Sequence, residues 1–172
     1  MPVPADRLTL EQINVMERTE FVESLGGIFE HSPWVAEGTY GQQPFVSVQQ
    51  LHDSMVDTAR NAEGEQILGL LRAHPDLATR LEVSPLSAAE QQGAGLTRLT
   101  PEEFAQLTEL NKAYTEKFGF PFILAVRGKN KEDIISSIAE RVHRSVQEEL
   151  EQALREISRI TRFRLDDLLN VE

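Results

Sequence analysis

The chain contains no cysteine, which excludes disulfides, thiolate nucleophiles and thiolate metal sites together. Positive charge is scarce: 17 Lys and Arg stand against 28 Asp and Glu, a formal net charge of −11. Nucleic-acid backbones are bound by displacing counterions with Lys and Arg, and no Lys/Arg-rich run of that kind occurs, so nucleic acid is not an expected partner. The same field repels small anions. Any anion site must therefore rest on a few local cations, which singles out inward-facing arginines. Long apolar runs are missing too, none approaching the roughly 20 residues that a membrane span requires. The start, Met1-Pro-Val-Pro-Ala-Asp-Arg7, has no basic-then-apolar leader pattern. The expectation is a cytoplasmic protein with no membrane partner. Histidines number four, His31, His52, His74 and His143. None pairs at the i, i+4 spacing of a helical metal site, so no metal is expected.

What is present reads as one globular domain over residues 1–172. Hydrophobic residues make up 40% and charged residues 26%, and a chain of this length buries about 70% of its unfolded surface. The helix starts are legible. A hydroxyl residue followed three positions later by Glu or Gln satisfies two orphan N–H groups reciprocally. That pattern occurs at Thr9/Gln12, Ser87/Glu90, Thr100/Glu103 and Ser145/Glu148. Ser32-Pro33 and Thr100-Pro101 add a proline suited to the first helical position. Ser47 and Asn130 are further expected caps.

Behind these starts the apolar spacing is helical. Val48, Leu51, Met55, Val56 and Ala59 form one stripe. Ile67, Leu68, Leu70 and Leu71 make a short helix that ends at His74-Pro75. Phe104, Leu107, Leu110, Tyr114 and Phe118 form another; Ile134, Ile135, Ile138 and Val142 the next; Leu150, Leu154, Ile157 and Ile160 the last. The expected fold class is all-α, a single compact multi-helix domain. One segment, residues 118–126, departs from it: Phe118-Gly-Phe-Pro-Phe-Ile-Leu-Ala-Val126 is strand-like by propensity yet has no partner strand. Its backbone groups must be satisfied by neighbouring side chains or by a polar ligand, and both remain open.

Of the histidines, His52 borders an apolar stripe, His143 lies beside Val142 and His31 sits in a loop, so packing or surface roles suffice. His74 ends an apolar helix directly before Pro75. Interaction with the helix dipole is its structural explanation; proton transfer is the functional one. Ser87 and Glu90 are accounted for as a capping box. Among Arg155, Arg159, Arg162 and Arg164, spacing alone makes no choice, and Arg155 suits an i, i+4 pair with Glu151.

Five stretches in order carry a family resemblance: residues 21–36 around Phe-Glu-His-Ser-Pro-Trp, Leu71-Arg-Ala-His-Pro-Asp-Leu-Ala78, Ser87-Ala-Ala-Glu-Gln-Gln-Gly-Ala-Gly-Leu96, residues 110–123 ending in Phe-Gly-Phe-Pro-Phe-Ile, and Arg162-Phe-Arg-Leu-Asp-Asp-Leu-Leu169. Together they resemble the 2-oxo-4-hydroxy-4-carboxy-5-ureidoimidazoline (OHCU) decarboxylase family, over nearly the whole chain. The resemblance implies an all-helical, usually dimeric carboxy-lyase of urate degradation that yields (S)-allantoin from a small ureidoimidazoline. It places the catalytic histidine at His74 and the active-site glutamate at Glu90. Substrate contacts fall on Pro75, Ser87, Gln91, Arg164 and the Phe122-Ile123-Leu124 stretch.

Two departures fall at the rim of the implied site: a short stretch between His74 and Ser87, and Ala-Thr-Arg after Leu77 where glycine is frequent. No fused transthyretin-like hydrolase domain is expected, and the final Asn-Val-Glu does not match a peroxisomal address.

The implied substrate carries a ring C=N bond beside the carboxylated carbon and is its own electron sink, so no cofactor is expected. His74 suits general acid–base work at neutral pH. Glu90 can accept hydrogen bonds from the substrate or hold the His74 tautomer, and Arg164 can grip oxygens with its fork of donors. The competing readings are a non-enzymatic helical scaffold and a metal-dependent ureide hydrolase.

Overall fold

The computed structural model describes residues 7–78 and 84–169. The sequence features noted at residues 1–6, at Thr79-Arg80 and at the terminal Asn-Val-Glu lie outside them. Among the described residues there are nine α-helices: α1 (Leu10–Val15), α2 (Arg18–Leu25), α3 (Trp34–Tyr40), α4 (Val48–Arg60), α5 (Gly64–Ala73), α6 (Pro85–Gly93), α7 (Pro101–Phe118), α8 (Lys131–Arg141) and α9 (Val146–Leu168). An isolated parallel bridge between Leu8 and Leu169 is the one β-type pairing among them. The fold is all-α, as expected from the sequence.

The capping chemistry explains where the helices begin. Thr9 with Gln12, and Thr100 with Glu103, form complete capping boxes. Ser145 and Glu148 exchange the same two bonds, at 3.2 and 3.1 Å. Asn130 caps α8 with Asp133 as its reciprocal partner, and Ser47 accepts the Gln50 N–H at 3.0 Å. Two expected starts are corrected. Ser32 caps nothing: its buried hydroxyl donates back to the Glu30 carbonyl at 2.8 Å, and α3 begins at Trp34. Nor do Ser87 and Glu90 form a box, because α6 begins two residues before Ser87, capped by Ser84 with Pro85 in its first turn.

Two compact units are present, one from Met1–Leu70 with Ser158–Glu172, the other from Leu71–Ile157. In the first, α2 packs on α3 and α3 on α4. Gly38 permits the close approach of α3 and α4: a Cβ there would lie 2.6 Å from Thr58 Cγ2. Phe21 anchors the core, edge-on to Tyr40 at 5.5 Å and stacked on Phe45 at 6.4 Å. The Asn14 amide grips both backbone groups of Phe45, donating to its carbonyl at 2.8 Å and accepting its N–H at 2.7 Å. His52 packs in this unit, with Nε2 3.1 Å from the Thr161 hydroxyl.

In the second unit α7 packs on α8. Gly119 closes α7 in the left-handed conformation, φ 79°, which glycine adopts without steric cost. Its carbonyl accepts Arg72 Nε at 3.0 Å. Beyond it Phe120–Val126 runs buried and non-helical. Tyr114 lies at the centre of an aromatic cluster, with ring centroids 4.4 Å from Phe118, 6.0 Å from Phe120 and 5.4 Å from Phe122.

Candidate active site

His74 follows α5 directly, closes its last turn through an N–H bond to the Leu71 carbonyl at 3.3 Å, and is buried. Pro75 stops the helix, since it offers no N–H and biases the residue before it away from helical dihedrals. The turn that follows is fixed from two helices. Asn111, on α7, donates to the Leu77 carbonyl at 3.0 Å, and Gln91, on α6, accepts the Ala78 N–H at 2.9 Å.

Gln91 therefore ties α6 to the His74 turn. Ser87 and Gln91 stand at i, i+4 on α6 and both are buried, while Glu90 is half-buried. Because Ser84 is the cap, Ser87 and Glu90 are released from capping, the explanation that spacing had given them.

The Phe122–Leu124 stretch has most of its side-chain surface buried, yet its backbone is only partly satisfied. Arg141 Nη1 donates to the Ile123 carbonyl at 2.9 Å, and Glu156 accepts the Ala125 N–H at 3.0 Å. Neighbouring side chains thus satisfy part of the segment. The N–H groups of Phe122, Ile123 and Leu124 make no hydrogen bond among the described residues. An unmade bond of this kind costs about 1–3 kcal/mol when buried, so these donors are suited to a ligand oxygen.

Arg164 belongs to the first unit and is the buried arginine of its group, 4% exposed. Its Nη2 lies 2.9 Å from Glu30 Oε2 and its Nη1 donates to the Ile28 carbonyl at 3.3 Å. Glu30 is itself 1% exposed. Arg155 forms the expected i, i+4 pair with Glu151 at 3.5 Å, and Arg162 pairs with Asp166 at 3.0 Å. Of the other histidines, His31 and His143 are exposed. Among the described residues no three of His, Asp and Glu gather in a way that could hold a metal ion.

Sequence reasoning passed over the buried charged residues Glu30, Arg141, Glu149 and Glu156. A signal existed in α9. Glu149, Ala153, Glu156 and Ile160 recur at i, i+4, i+7 and i+11, which places both glutamates on the face that carries buried Ala153 and Ile160.

Residues 14–166 match the family model described as OHCU decarboxylase. The chain belongs to the OHCU decarboxylase family. It is 41% identical over 162 residues to a 2-oxo-4-hydroxy-4-carboxy-5-ureidoimidazoline decarboxylase of Halalkalicoccus jeotgali, covering 94% of this chain and 92% of that protein. It is 43% identical over 161 residues to a uric acid degradation bifunctional protein of a Bacillus species, covering 94% of this chain but 32% of that one. Among solved structures, an (S)-allantoin synthase superposes with a TM-score of 0.79 at 30% identity, over 94% of this chain and 54% of that chain. The chain thus spans about a third of the bifunctional relative, about half of the solved synthase and nearly all of the single-function decarboxylase.

Proposed function

We propose that this protein decarboxylates 2-oxo-4-hydroxy-4-carboxy-5-ureidoimidazoline to (S)-allantoin, with His74 handling the proton. The observation that carries this reading is a buried histidine, its turn fixed at a helix end by Gln91 and Asn111, in a chain of the OHCU decarboxylase family. The bond from the ring carbon to the carboxylate breaks, its electron pair forms a C=C bond to the adjacent C=N carbon as the C=N pair moves onto nitrogen, which is protonated, and carbon dioxide leaves. A proton is then delivered to one face of the neighbouring carbon, the former C=N carbon, while the hydroxyl on the decarboxylated carbon gives up its proton to become the carbonyl. The face protonated sets the handedness of the product. The substrate supplies its own electron sink, so the chemistry asks of the protein only orientation, charge stabilisation and proton transfer.

His74 serves as the general acid–base group. Glu90 accepts N–H groups of the substrate or orients His74, and Pro75, Ser87 and Gln91 contact the substrate. The free N–H groups of Phe122, Ile123 and Leu124 bind substrate oxygens, and Arg164 grips a carbonyl or carboxylate. The reading also takes residues 1–172 as one functional domain acting as a cytoplasmic homodimer. In support of its soluble side, no described helix is long and apolar enough to cross a membrane.

The test is carbon dioxide release from freshly generated substrate after exhaustive chelation of the protein. Release well above the protein-free rate is expected. Turnover that vanishes in chelator and returns with Zn²⁺ would instead indicate a metal-dependent hydrolase.

A further inference from the structure

Two buried charged side chains outside the assigned site, Arg141 and Glu156, hold the Phe122–Ala125 segment, and a third, Glu149, holds Arg141. Arg141, in the last turn of α8, is 5% exposed; Glu149 and Glu156, from α9, are 0% and 1% exposed. Arg141 divides its donors: Nη1 reaches the Ile123 carbonyl at 2.9 Å and Nε reaches Glu149 Oε1 at 2.7 Å. Its guanidinium also lies over the Phe122 ring, 4.4 Å from the centroid. The same Glu149 oxygen accepts the Tyr114 hydroxyl at 2.6 Å, and Arg144 stands 3.7 Å from the other oxygen. Burial and that carboxylate push the Tyr114 phenol far above its usual range, so it remains a donor. Two residues further along the segment, Glu156 Oε1 accepts the Ala125 N–H at 3.0 Å, while its other oxygen accepts Gln152 Nε2 at 2.9 Å.

Stability does not explain this arrangement. Desolvating charges costs several kcal/mol per ion, and apolar residues of similar volume commonly do as well or better. What the charges do is fix a conformation. A segment with neither helical nor sheet bonds of its own is pinned at a carbonyl and, two residues later, at an N–H. Beside these fixed points the N–H groups of Ile123 and Leu124 are left unspent.

We infer that Arg141, Glu149 and Glu156 are positioning residues that hold Phe122–Ala125 in the one conformation presenting its free N–H groups to the substrate. The inference rests on the decarboxylase reading above. Glu149 acts through Arg141 by fixing its guanidinium, and none of the three need touch the substrate.

Three variants test it: Arg141→Lys, Glu156→Ala and Glu156→Gln. Lysine can still pair with Glu149 but lacks the fork that reaches Glu149 and the Ile123 carbonyl together. Glutamine retains an oxygen for the Ala125 N–H; alanine does not. In proteins shown by melting to be folded at the assay temperature, Arg141→Lys and Glu156→Ala should raise KM by about tenfold or more with kcat within about threefold, and Glu156→Gln should stay close to the parent. A purely structural role would lower the active fraction, and hence apparent kcat, while leaving KM alone. KM values within about twofold of the parent in both Arg141→Lys and Glu156→Ala would overturn the inference. A parent with no decarboxylase activity would contradict the functional reading itself, and amide exchange then judges the clamp. Faster exchange at Ala125 in Glu156→Ala than in Glu156→Gln upholds it, and equal exchange overturns it.

Discussion

The hydroxyl of Ser84 accepts the N–H of Ser87 at 3.2 Å, so Ser84 caps α6 and Ser87 sits inside its first turn. On the proposed function, two serines three residues apart divide the labour. Ser84→Ala should lower stability by about 1 kcal/mol through the lost cap and leave KM unchanged. Ser87→Ala should keep the cap and raise KM. Urea melts and steady-state kinetics on both variants check this, and a KM effect confined to Ser84→Ala would reverse the assignment.

Glu90 carries the sharpest separation of charge from scaffold. It lies in the second turn of a helix whose cap is elsewhere, and glutamate and glutamine have nearly equal helix propensity. Glu90→Gln should therefore hold stability within about 1 kcal/mol. If the carboxylate contacts the substrate or orients His74, turnover should fall by about tenfold or more, equivalent to about 1.4 kcal/mol on the barrier. A variant that melts and turns over like the parent would leave Glu90 without a chemical role.

Much of this was legible beforehand because it is local. Caps at Thr9, Ser47, Thr100 and Asn130 depend on residues three apart, and the helix stripes depend on a fixed period. Ser84 escaped because Ser87/Glu90 matched the capping-box spacing, although Ser84-Pro85 is the stronger start once proline's fit to the first turn is weighed. Glu30, Arg141, Glu149 and Glu156 escaped for a different reason. A charged residue reads as solvated unless its partner is known, and Glu30 meets Arg164 across 134 positions of sequence. Long-range pairings of this kind leave no local pattern.

His52 gives a pH signature of folding. Burial, and then the Arg162 charge, hold its imidazole below the usual 6.5, outweighing the opposite pull of Asp53 and Asp166. The folded chain therefore keeps His52 neutral where the unfolded chain binds a proton. Stability from this group is full above about pH 6.5, declines as pH falls below that value, and levels off beneath the folded pKa. Urea melts of the parent and of His52→Gln between about pH 7.5 and pH 5 should diverge in that direction, the parent losing more. Parallel curves would show that His52 titrates alike in both states.

On the proposed function, this chain sets both the rate and the handedness of allantoin formation through His74. The direct measurement is the circular dichroism of allantoin formed from freshly generated ureidoimidazoline, with the parent and with His74→Asn. The parent should give (S)-allantoin faster than the uncatalysed reaction, and a folded His74→Asn should be slower by about 10²–10⁴-fold. Optically inactive allantoin at the spontaneous rate with the parent, or undiminished (S)-product from His74→Asn, would contradict it.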